Sequence, residues 1–241
     1  MNKTFKKIFP VAFWLAVWQL VSLLIGKPLL FPGPWETLRC LFELFTEGSF
    51  WLSTLVSFLR IACGFLGGIS LALLFFALSR VWVGFELVIS SAMRLVRAVP
   101  VASFIVLLML YSSYSAVPAI VSGLMVMPLV YANLESGLLE TAAPLVELAN
   151  AYKFGVRKKL KYVYIPSLKP YFRGSVLSAM GLAWKSGVAA EVIAKPGMAL
   201  GKYIYNAKLY LETPTLFAST LVVVILSCSL EAILRRAFRD E

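Results

Sequence analysis

What most constrains this chain is an apolar run near its start, from Ile8 to Ile25, that carries no charged side chain, and the recurrence of such runs along almost the whole length. Crossing about 30 Å of hydrocarbon takes ~20 apolar residues as a helix, because every backbone polar group there must be bonded within its own segment. Runs at about 8–26, 55–79, 115–137, 174–194 and 214–234 meet that requirement. A sixth lies within 84–112 and is interrupted by Pro100. Hydrophobic residues make up 60% of the 241 and charged residues 15%, with a mean hydropathy of +0.84. Soluble domains are nearer half apolar and a quarter charged. The exterior of this chain therefore requires lipid, and the expected fold class is all-α, a polytopic membrane helical bundle of about six transmembrane helices.

The formal net charge of +11 does not point to nucleic acid, because the basic residues cluster between apolar runs rather than on a soluble face. That is the pattern of topology signals. With the N-terminus inside, sixteen Lys and Arg fall in inner segments and five in outer ones, so both ends are expected in the cytoplasm. Lys3, Lys6 and Lys7 ahead of Ile8–Ile25 resemble a signal peptide, but the run is long and no small-residue cleavage site follows, which favours a retained span. Cys40, Cys63 and Cys228 are scattered and suit neither a disulfide framework nor a zinc site. Histidine is absent, which removes histidine proton relays, Ser-His-Asp triads and the HExxH metal motif.

Three parts follow: 1–49, a first span and an external segment with an interfacial helix over Trp35–Phe45; 50–234, the membrane core; and 235–241, a cytoplasmic tail. Within the core, the polar stretch of about 138–172 is the largest internal feature and reads as helical. Thr141 is placed to cap a helix running through Glu147 and Ala149, Gly155 permits a turn, Arg157–Lys161 is a basic run, and Pro166 and Pro170 mark breaks before the fifth span.

The stretch Glu147-Leu148-Ala149, with Lys153, Gly155, Ile165 and Pro166 following, resembles the EAA loop of binding-protein-dependent ABC importer permeases. The pattern's glycine falls on Lys153, with Gly155 two residues later. Ser57-Phe58-Leu59-Arg60 with Gly64 and Gly68 is similar to the family's S-L-x-R…G segment. Arg97-Ala98-Val99-Pro100 is similar to its R-[AS]-[IV]-P element, and Ala189-Ala190-Glu191 with Ala199-Leu200-Gly201 to its A-E…G-L-G signature. In this order the matches sit best with the nitrate, sulfonate and taurine class.

The resemblance implies the type I importer permease fold with an extra N-terminal span, a non-catalytic subunit, and a coupling helix within the loop. It also implies partners: an ABC ATPase subunit that binds ATP and Mg, an extracytoplasmic solute-binding protein, and a second permease copy forming a homodimer in membrane lipid. No cofactor is expected in this chain, which has no GxxxxGK[ST] motif to cradle phosphates. The physical role of such a loop is to dock a short helix on a moving partner and travel with it as a rigid body.

Charges in or beside spans normally face protein or water, since mid-membrane exposure costs at least ~2.5 kcal/mol. Arg60, Arg97, Lys185 and Glu191, with Pro100 as a helix break of use in a gate, are the candidates for a translocation path or gate. Lys185 suits either a counter-charge for an anionic solute or a snorkelling cation, and Glu191 suits an inter-helix or partner-docking role. A secondary transporter or channel is the alternative. It calls for mid-span carboxylates, which are few here, and leaves the long internal loop unexplained.

Overall fold

The computed structural model describes residues 3–141 and 143–238, so the end of the expected tail, 239–241, lies outside the described residues, as do the side chains of Lys3, Lys6 and Lys7. The described residues are mostly helical and form no strand. The helices are α1 (Lys3–Ile25), α2 (Pro34–Thr46), α3 (Gly48–Val81), α4 (Val83–Ala98), α5 (Val101–Tyr111) and α6 (Val117–Leu139). They continue with α7 (Ala143–Ala151), α8 (Val156–Lys159), a π-helical turn (Leu160–Tyr164), α9 (Ile165–Ala194), α10 (Leu200–Leu209) and α11 (Thr213–Ala237).

Five segments are long and apolar enough to cross a membrane: Ile8–Ile25, Gly48–Val81, Val117–Leu139, Val156–Ala194 and Thr213–Ala237. The sixth is α4 with α5, two helices that meet at 106°. The reason is local. Val99 precedes a proline and is pushed out of the helical region to φ −79°, ψ 131°. Pro100 itself sits at ψ 133° and restarts the chain as the cap of α5. The expected interruption is therefore an elbow rather than a kink within one helix.

Contacts fix which helix ends lie together. Arg173 of α9 lies over the Phe238 ring just beyond α11, and Ser79 of α3 and Ser90 of α4 both meet the Tyr131 hydroxyl of α6. These define a basic end. At the opposite end the start of α3 meets the end of α9, and Thr213 at the start of α11 donates to the Leu29 carbonyl after α1. The helices thus alternate in direction, with α4 at the basic end and α5 reaching the other, where Ile105 packs with Val117, Ala190 and Ala194.

The centre is a crossing of α3, α6 and α9 at backbone distance. A Cβ at Gly64 would lie 2.1 Å from the Ala119 carbonyl oxygen, and one at Gly68 2.7 Å from that of Gly123. Only glycine allows this approach, which replaces the hydrophobic drive that lipid cannot supply. Gly67 and Gly181, on the same helices α3 and α9, face open space. Ser122 donates to the Ala183 carbonyl and Trp184 to the Val223 carbonyl, tying α6 to α9 and α9 to α11.

Two expectations about the internal segment change. Pro166 and Pro170 do not break the chain before the fifth span, because the helix runs from Val156 to Ala194. Pro166 lies in the first turn of α9, where its missing N–H has little to lose, directly after the π turn in which the Ile165 N–H reaches back to the Leu160 carbonyl. Thr141 donates to the Gly137 carbonyl at the end of α6. The boundary expected between 49 and 50 falls inside the first turn of α3.

Candidate functional site

Two places gather the residues singled out by sequence. The first is α7 at the basic end. Ala149 is 4% exposed and turns inward, toward the π turn that α7 touches. Beside it Leu145, Leu148 and Tyr152 are spaced three and four apart, so that they share one face. Leu148 is 54% exposed and Tyr152 71%. Glu147 is exposed beside them. The stripe, which runs from the nine-residue helix into the turn after it, is left open by the described residues. Its spacing was readable in the sequence but was not singled out there.

The helix is ended by hydrogen bonds that place its turn at a different residue from the one expected. The Phe154 N–H bonds the Ala149 carbonyl at 2.9 Å and the Lys153 N–H bonds that of Asn150 at 2.9 Å. This pair is the Schellman closure, which needs a left-handed residue at its corner. That residue is Lys153, at φ 52°. Gly155 is extended at φ −64°, ψ 163°, and open space surrounds it. The position where the family pattern has glycine thus keeps the left-handed conformation, and the nearby glycine does not supply it. Ile165 and Pro166 are exposed at the start of α9.

The second place is the opposite end, where α3, α9 and the start of α10 meet at Glu191. Its carboxylate is fully buried, and the Arg60 side chain is 13% exposed. Ser57 donates to Oε2 at 2.7 Å, the Gly201 N–H to Oε2 at 3.1 Å, and Arg60 Nη1 to Oε1 at 2.8 Å. Ser57 in turn accepts from the Leu200 N–H at 2.8 Å, and Arg60 reaches the Met198 carbonyl. The motif segments Ser57–Arg60 and Ala189–Gly201, read separately in sequence, are one constellation. Gly201 is required by it, since a Cβ there would stand 2.5 Å from the Glu191 Cβ.

The remaining candidates stand apart. Lys185 is exposed on α9, two turns from Glu191 and on another face, with no ion-pair partner among the described residues. Arg97 and Pro100 are exposed at the α4–α5 elbow. A third polar network escaped the sequence reading: Ser90 donates to Glu135 at 3.1 Å and meets the Tyr131 hydroxyl that also meets Ser79. Single serines carry too little pattern to reveal it.

The sequence model of the family described as "Binding-protein-dependent transport system inner membrane component" matches residues 64–239. A "Putative aliphatic sulfonates transport permease protein" of Bacillus subtilis is 25% identical over 213 residues, covering 88% of this chain and 77% of that protein. A "Probable ABC transporter permease protein" of Haemophilus influenzae is 27% identical over 232 residues, covering 93% and 91%. A "Nitrate import permease protein" of Synechococcus elongatus is 25% identical over 205 residues, covering 80% and 73%.

Proposed function

The chain belongs to the family of binding-protein-dependent transport system inner membrane components, and from that membership we propose that it is the permease of an ATP-driven importer that works as a pair of copies. It is a multi-pass membrane protein and a transport component. Its N- and C-termini and α7 face the cytoplasm, as the bias of Lys and Arg toward the basic end supports. An ATPase subunit binding ATP and Mg holds α7, and a solute-binding protein delivers cargo at the other face.

The observation that carries the reading is the exposed stripe of Leu145, Leu148 and Tyr152 on a helix that is closed against its own chain at the adjoining Ala149. A short helix anchored at one buried residue, with an open apolar stripe beside it, fits a groove on a partner. Its charge, Glu147, stands beside the stripe to meet a basic or amide donor. When nucleotide closes the ATPase pair, the two helices move together and the path opens alternately to each side. The cargo class is a small oxyanion such as a sulfonate or nitrate. Two relatives named for such cargo and the uncompensated cation of Lys185 support this.

The test is to co-express the chain with its ATPase and binding protein, reconstitute them in liposomes and follow hydrolysis. The loaded binding protein is expected to stimulate it. Leu148→Asp is expected to abolish co-purification of the ATPase, since a hot-spot contact of this kind is worth about 2 kcal/mol or more. Lys185→Gln should lower uptake of anions while leaving assembly unchanged. An ATPase that never co-purifies, or binds the Leu148→Asp chain equally well, defeats the reading.

A further inference from the structure

At the basic end a cleft of about 400 Å³ opens between the last turns of α3 and α6 and the segment running from α8 through the π turn. Phe76, Leu138, Leu160 and Leu168 make its body, and Arg80 and Lys159 stand over it. We propose that this cleft binds an anionic phospholipid of the adjoining leaflet, with the phosphate between Arg80 and Lys159 and part of an acyl chain along the apolar wall. The proposal rests on the membrane orientation given above, which makes this the cytoplasmic leaflet.

Depth is the first argument. Arg80 lies one residue from the end of a spanning helix and Leu138 one residue from the end of another, so the cations sit where head groups do. Charge is the second. From Leu148 to Ala190 the chain carries eight Lys and Arg and no Asp or Glu. Lys159 Nζ donates to the Asn150 side-chain carbonyl at 2.6 Å, a neutral partner that leaves its charge uncompensated. Arg80 gives Nη2 to Glu86 at 2.6 Å and lies 5.4 Å from the Phe76 ring centre. Its side chain remains 34% exposed, so other N–H groups are open to a phosphate. Basic pockets between helices on this side of a membrane have the chemistry of a head-group site. Because Lys159 also holds Asn150 of α7, a phosphate there bears on how firmly that helix is held.

The full-length chain in detergent is titrated with phosphatidylglycerol and with phosphatidylcholine of the same acyl chains, and bound lipid is counted by native mass spectrometry. Phosphatidylglycerol is expected to bind more tightly by about tenfold or more. Arg80→Gln and Lys159→Gln should each weaken it about fivefold, from roughly 1 kcal/mol per cation near the surface. Arg157→Gln, which removes a neighbouring charge outside the cleft, should leave it unchanged. Leu160→Trp keeps both cations and fills the cleft; it should weaken both lipids, and it carries the test if the charge variants fail to fold. Equal binding of the two lipids overturns the proposal, as does a loss on Arg157→Gln as large as on Lys159→Gln. Displacement of phosphatidylglycerol by equimolar glycerol phosphate does so as well, since the site would then be one for a free phosphate. None of these readings depends on an ATPase, so they stand or fall apart from the importer assignment.

Discussion

Replacing Glu191 by glutamine should destabilise the chain although it changes neither size nor shape. Three donors converge on this carboxylate, two on Oε2 and one on Oε1. A glutamine must place its NH2 at one of these positions. At the Oε1 position it faces the Arg60 guanidinium at 2.8 Å, donor against cation. At the Oε2 position it faces the Gly201 N–H, which cannot turn away, even if the Ser57 hydroxyl rotates. Either orientation leaves a buried donor unsatisfied, at about 1–3 kcal/mol. Alanine removes all three acceptor contacts and strands a nearly buried guanidinium, at about 3–5 kcal/mol. Thermal melting of the detergent-solubilised chain should therefore order wild type, glutamine, alanine, with the alanine variant lower by on the order of 10 °C. Arg60→Met is the complement, leaving the carboxylate without its cation, and the double variant should recover part of the loss. If Glu191→Gln melts with wild type and Glu191→Ala falls within about 2 °C, the carboxylate is not the tie between α3, α9 and α10 that its contacts describe.

Other substitutions test other joints. Lys153→Gly should strengthen the end of α7 by about 1 kcal/mol, because a side chain with a Cβ occupies the left-handed region at that cost. Gly155→Ala should be neutral, and slower hydrogen exchange at the Phe154 amide in the first variant alone is the check. Gly64→Ala should cost about 1–3 kcal/mol or more by forcing α3 off α6, whereas Gly67→Ala, facing open space, should be silent in the same melting assay. Trp184→Phe should cost about 1 kcal/mol through the lost bond to the Val223 carbonyl; an unchanged melting point would mean that this bond does not hold α9 to α11.

Much of the fold was legible because each helix here is decided by its own residues. The apolar runs set five crossings, and Pro100 sets the elbow, since the geometry of a proline and its predecessor is local. The helix expected over Trp35–Phe45 is α2, Pro34–Thr46, where the Glu36 carboxylate accepts from the Gly33 N–H to open the helix. Pro166 misled because proline ends helices in water, whereas here a π turn precedes it and the first turn tolerates it. Gly155 misled for a related reason. Glycine is the default left-handed residue, but two backbone bonds closing α7 on Ala149 and Asn150 put that conformation two residues earlier, on a lysine. The pairing of Arg60 with Glu191 was not legible, although both residues were singled out, because it joins positions 131 apart in sequence. Only the tertiary crossing of α3 and α9 brings them together.

That crossing bears on how movement travels under the proposed function. The segment from Val156 to Ala194 is continuous helix. Its start touches α7 through the Lys159–Asn150 bond and the π turn, and its end is bound to α3 and α10 through Glu191. A push on α7 therefore enters a helix whose far end is locked by a charge pair with three donors, and whose middle is held to α6 at Ser122 and to α11 at Trp184. Such a segment has little freedom to slide alone, so it moves with α3, α6 and α11 as one body. α4 and α5 pack on that body at Ser90 and at Ile105 and are joined to each other by the extended pair Val99–Pro100. If one element changes its angle while the rest tilts together, the 106° elbow is the joint whose backbone can absorb it.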